Sequence, residues 1–103
     1  MKPTNYNTEY FIEKFAAIPE DRWCNEVYQS LDRYCALGHC GITNENCRRT
    51  DDQLPEATAL TEIFKAYGTL VSWVNDGYNE HFQQDHPKKR ILAALAKIKN
   101  EEA

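Results

Sequence analysis

No stretch of the chain approaches the roughly 20 consecutive apolar residues that a bilayer-spanning helix needs, so no transmembrane helix is expected. Met1 leads into Lys2-Pro3-Thr4-Asn5 with no apolar core behind it, and no secretory signal is expected either. Internal repeats, low-complexity tracts and Gly/Ser-rich linkers are all missing, which leaves no visible domain boundary and predicts a single domain over 1–103. An overall basic excess, the usual mark of a duplex-binding domain, is missing as well: the net charge is -4. The paired C-x2-C knuckle of a typical zinc site is absent.

What is there suffices for one core. The chain has 103 residues, 42% hydrophobic and 12% aromatic, which is enough apolar surface to collapse rather than stay disordered. A chain of this length buries roughly two thirds of its unfolded surface, room for one core and no second. Charge is unevenly placed. Acidic side chains outnumber basic ones over 1–62, whereas Lys88, Lys89, Arg90, Lys97 and Lys99 form a basic run with no acid between them. That run is either a solvated helix face or a local anion site.

Phe11, Phe15 and Ile18 recur at helical spacing and predict a first helix near 8–17, with Thr8 or Asn7 as its cap. Pro19 ends it and can open a short turn through Glu20 and Asp21 to Trp23. Residues 24–34 read equally as helix or as short strands of a hairpin. Pro55 opens a helix through Leu60, Ile63, Phe64 and Tyr67 that stops near Gly68. Residues 69–75 are a short helical or extended run, and Asn75-Asp76-Gly77 is a strong turn signal. The last helix starts at Pro87, capped by Asp85 or His86, with Ile91, Leu92, Leu95 and Ile98 on one face. Its first turn carries Lys88, Lys89 and Arg90, where the helix dipole disfavours positive charge. The fold class expected is mainly α, four or five helices around one core, with a short β-hairpin near residues 25–36 as an option. The expected core comprises Phe11, Phe15, Ile18, Trp23, Leu37, Leu60, Ile63, Phe64, Val71, Val74, Ile91, Leu95 and Ile98. In so small a chain both Trp23 and Trp73 read first as core residues, and as ligand-contacting residues only where a polar surface adjoins them.

Cys24, Cys35, Cys40 and Cys47 lie close in sequence with His39. A disulfide framework is disfavoured, because nothing points to an oxidising compartment. A zinc site drawn from Cys35, His39, Cys40 and Cys47 has enough N/S ligands, and on a helix Cys35 and His39 would share a face. A nucleophilic Cys35 at a helix N-terminus would gain acidity from the dipole, with His39, His81 or His86 as base. No oxyanion hole or orienting third group is evident. The simplest reading makes the thiols small buried hydrophobes.

Four stretches taken together resemble a poorly characterised family of small proteins from bacteria and their phages, a domain of unknown function. They are Tyr10-Phe11-Ile12-Glu13-Lys14-Phe15 with Ile18-Pro19-Glu20 and Trp23; Cys35-Ala36-Leu37-Gly38-His39-Cys40-Gly41; Val74-Asn75-Asp76-Gly77; and Pro87-Lys88-Lys89-Arg90-Ile91-Leu92-Ala93-Ala94-Leu95. They cover most of the chain apart from 43–54. The resemblance implies a phage or prophage setting and a bacterial host cytoplasm, and it brings no reaction with it. If the fold unites the CALG and NDG segments, amide groups near Gly38 and Gly77 with the basic start of the last helix would hold an anion. The ligand-contacting set would then be Trp23, Cys35, Gly38, His39, Trp73, Asn75, Asp76, Gly77, Lys88, Lys89 and Arg90. The function expected is a non-enzymatic accessory protein of phage type, without a cofactor. It would sequester a small anionic signal such as a nucleotide or block a host protein, a counter-defence role, as a monomer or homo-oligomer. The alternatives are a small cysteine-dependent enzyme and a zinc-stabilised interaction module.

Overall fold

A computed structural model describes residues 6–24, 29–30, 33–42 and 55–102. The architecture is mainly helical. Helices α1 (Thr8–Ala16), α2 (Ala36–His39), α3 (Pro55–Tyr67), α4 (Val71–Asn75) and α5 (Pro87–Glu102) are joined by a 3₁₀ turn at Glu20–Arg22 and by strands β1 (Gln29–Ser30) and β2 (Arg33–Tyr34). The strands pair antiparallel in the register Gln29↔Tyr34 and Ser30↔Arg33. The optional strand pair near residues 25–36 is thus present at Gln29–Ser30 and Arg33–Tyr34, while residues 25–28 and 31–32 lie outside the described residues. The same holds for residues 43–54, Cys47 among them.

Asn7 caps α1, its Oδ1 accepting from the Tyr10 amide at 2.8 Å. Thr8, the other candidate, is the first helical residue. The period of α1 places Phe11 and Phe15 inward, both fully buried. From them a train of rings leads to α2: Phe11 to Phe15 at 5.8 Å, Phe15 to Trp23 at 5.3 Å and Trp23 to His39 at 4.8 Å between centroids. Offset and edge contacts of this kind add to the gain from area burial. Leu60 and Phe64 of α3, Val71 and Val74 of α4, and Ile91, Ala94, Leu95 and Ile98 of α5 complete the same hydrophobic cluster.

Helix α5 runs antiparallel to α1. At one end Lys88 Nζ donates to the Ala16 carbonyl at 3.1 Å, and at the other Lys99 meets Glu9 at 3.0 Å. The cation at the start of α5, unfavourable for its own helix, thereby reaches the negative end of its neighbour. Helix α3 is tied to α1 through Glu56, which accepts from the Tyr10 hydroxyl and pairs with Lys14 at 3.0 Å. Gly68 ends α3 with φ 105, a left-handed conformation that glycine adopts without a Cβ penalty.

Three details of the expected core change. Ile18, Leu37 and Ile63 are only partly buried against the cluster. Ala36, Cys40, Ala57, Phe82 and Ala94 are buried in it. Trp73 is 54% exposed and no core residue. Helix α4 is a single turn, and its Val71, Val74 and Asn75 take the inward side.

Candidate functional site

The CALG and NDG segments and the start of α5 do come together, at a buried junction rather than an open pocket. Asn75, 1% exposed, stands at its centre. Its Oδ1 accepts from the Ala36 amide at 3.0 Å, and its Nδ2 donates to the Cys24 carbonyl and to Asp76 Oδ1, each at 3.0 Å. One amide side chain therefore joins α4 to the N-terminus of α2 and to the strand-like segment at Cys24. The Asn75 carbonyl in turn accepts from Arg90 Nε at 3.2 Å and Nη2 at 2.8 Å, while Arg90 Nη1 donates to the Gln84 carbonyl at 2.8 Å. Arg90 is itself buried. A buried guanidinium stays tolerable because its fork is satisfied by carbonyl oxygens.

The backbone beside it favours glycine. Gly77 has φ 85, a left-handed conformation that costs glycine no Cβ strain, and it packs against the Arg90 guanidinium. Its carbonyl accepts from Gln83 Nε2 at 3.0 Å, and its amide donates to the Val74 carbonyl at 3.2 Å. The Gly38 amide donates to Cys35 Sγ at 3.4 Å. The amides and the guanidinium expected to hold an anion are thus engaged within the fold. The two remaining cations are also placed: Lys88 on the Ala16 carbonyl and Lys89 on Asp85 at 3.3 Å.

Cys35 does cap α2 at its N-terminus. Burial nevertheless pushes its thiol up from the ordinary value, and the Gly38 and Leu37 amides offset only part of that effect. Burial pushes Cys40 up further, to about 12. A thiol held protonated at neutral pH is a poor nucleophile. Among the described residues, the ring contacts of His39 and His86 lie away from Cys35. His39 Nε2 lies 3.1 Å from the Arg22 carbonyl with its ring between Trp23 and Tyr34, His86 Nδ1 accepts from the Lys88 amide at 3.1 Å, and His81 is exposed. Burial also pulls His39 below the usual imidazole value, against the opposing pull of the Arg22 and Tyr34 carbonyls. Cys35 and Cys40 carry free thiols. Among the described residues no three His, Cys, Asp or Glu side chains are grouped to hold a metal ion; Cys47, the fourth member of the expected zinc set, lies outside them.

The outer side of α4 is different in character. Among the described residues the exposed large hydrophobic side chains are Leu70, Trp73 and Tyr78, at 43%, 54% and 67%. They come from nine consecutive positions, and the Tyr78 amide donates to the Trp73 carbonyl at 2.8 Å, which folds the two aromatic residues onto one stretch of backbone. Trp73 belonged to the expected contact set. Leu70 and Tyr78 did not, although the spacing carried a hint: a one-turn helix with apolar residues on both sides must leave one side outside. Comparison of the chain with family models, with curated proteins and with solved structures gives no match.

Proposed function

We propose that the chain acts by binding another protein, through the surface formed by Leu70, Trp73 and Tyr78. The observation that carries this reading is the confinement of the exposed large apolar side chains, among the described residues, to that one stretch. Solvent-facing apolar patches of this kind mark interaction sites, and Trp and Tyr are the residue types that most often dominate binding energy at interfaces. Beneath the patch, the Asn75 and Arg90 hydrogen bonds fix α4 to α2 and α5. The aromatic side chains would then meet a partner on a held backbone, with less ordering cost on association. The resemblance to small bacterial and phage proteins supplies the setting: an accessory protein that blocks a surface of a host protein.

This reading is favoured over capture of a nucleotide, because the groups suited to an anion are already hydrogen-bonded internally. It is favoured over cysteine catalysis, because the buried Cys35 thiol is disfavoured as a thiolate. The experiment is affinity capture from bacterial lysate with the wild-type chain and with the Trp73→Ser/Tyr78→Ser variant in parallel. A stoichiometric partner retained by the first and lost from the second is expected. Equal retention by both would remove the surface from the account.

A further inference from the structure

A second surface lies between the C-terminal turns of α3 and α5. Glu62, Ile63, Ala66 and Tyr67 of α3 face Ile98 and Glu101 of α5 across an open groove of about 450 Å³. That volume falls within the range of about 300–1,000 Å³ usual for occupied sites. The floor is apolar, from Ile63, Tyr67 and Ile98, and both charged lining residues are carboxylates.

Their position adds to the negative potential. A helix carries partial negative charge at its C-terminus, where acidic side chains are disfavoured and basic ones stabilise. Glu101 sits in the last turn of α5, which ends at Glu102, and Glu62 lies within six residues of the end of α3 at Tyr67. Two helix ends and two carboxylates of the same sign therefore border one apolar trough. The last turns also carry a lysine each, Lys65 on α3 and Lys99 on α5, and neither lines the trough. Lys99 is engaged with Glu9, and Lys97 reaches Glu101 only as an exposed i,i+4 pair at 3.7 Å. Such exposed pairs contribute at most about 0.5 kcal/mol and yield readily to a competing cation. Glu101, an acid in the last turn of its own helix, is a local conflict of the kind that accompanies function.

We infer that the α3–α5 groove receives a basic, apolar segment of a partner protein, with a Lys or Arg head between Glu62 and Glu101 and an adjoining apolar side chain on Ile63, Tyr67 and Ile98. The Tyr67 ring can add a cation–π contact to the ion pairs. The sign of the site is the argument for the occupant: an acidic rim over an apolar floor selects an amphipathic cation and rejects an anion. This site is separate from the Leu70–Trp73–Tyr78 surface and draws on none of its residues.

The test uses the whole chain and a short amidated peptide of Leu and Arg at helical spacing. Nuclear magnetic resonance titration should shift the signals of Ile63, Ala66, Tyr67 and Ile98, and the affinity should weaken about tenfold in the Glu62→Gln/Glu101→Gln variant. A Glu13→Gln/Glu80→Gln variant has the same net charge change at exposed positions elsewhere and should bind as the wild type does. The same peptide with Glu in place of Arg should not bind. Equal weakening in both double variants, equal binding of the Glu peptide, shifts confined to other residues or no shift at all would each overturn the proposal. Equally strong binding of arginine amide alone would also overturn it, by assigning the groove to small cations.

Discussion

The Asn75 amide has two donors and an acceptor oxygen, and all of them are used inside the protein. Cutting the side chain back to Ala leaves the Ala36 amide and the Cys24 carbonyl facing a void. Buried groups deprived of a partner cost about 1–3 kcal/mol. Asn75→Ala should therefore lower the unfolding free energy by that amount, read as a lower urea midpoint at an unchanged denaturant slope. Asn75→Asp should be at least as damaging, since a carboxylate would replace the donor that faces the Cys24 carbonyl and Asp76. Residue chemistry also sets a pH dependence. Burial holds His39 below its unfolded value of 6.5. As pH falls through about 6.5 the unfolded ring takes up a proton that the folded ring resists. The His39 contribution is thus fully present above 6.5 and is lost as pH falls from there through the folded value. Urea unfolding over that window should show the decline in the wild type and a flatter profile in His39→Gln.

At the scale of elements, the two tryptophans separate packing from display. Trp23 lies between Phe15 and His39 and is buried; Trp73 projects from the single turn of α4. Trp23→Ala should cost about 3–5 kcal/mol, and Trp73→Ser should stay within about 0.5 kcal/mol, both measured by denaturant unfolding. The sequence does not distinguish them, because five residues are too few to display a helical period. The longer helices were legible for the opposite reason. Phe11, Phe15 and Ile18, Leu60, Ile63, Phe64 and Tyr67, and Ile91, Leu95 and Ile98 each repeat over about two turns, with Pro55, Pro87 and Gly68 as punctuation. Segment 69–75 stayed open between helix and strand until Leu70 capped α4 with extended backbone. The junction was legible only in its parts. CALG, NDG and the basic first turn of α5 each stood out, but the bonds that unite them span 39 and 15 positions, and no local pattern encodes such pairings. The burial of Arg90, where it donates to the Asn75 and Gln84 carbonyls, is likewise set by tertiary packing.

At the scale of the whole molecule, the helices share one hydrophobic cluster. Among the described residues two outward features stand out: the exposed Leu70, Trp73 and Tyr78 in and around α4, and the acid-rimmed trough at the ends of α3 and α5. Among the described residues no helix is long and apolar enough to cross a membrane. The catalytic and metal-binding arrangements that the cysteines and histidines suggested are not assembled among those residues: Cys35 and Cys40 are buried with raised thiol values, and His39 is aimed at a carbonyl. The most direct measurement is a calorimetric titration of the captured partner with the wild-type chain and with Trp73→Ser, each checked for the same unfolding midpoint. A central aromatic contact contributes about 2 kcal/mol or more, so affinity should weaken about thirtyfold at equal stability. Unchanged affinity in the Trp73→Ser protein would contradict the account.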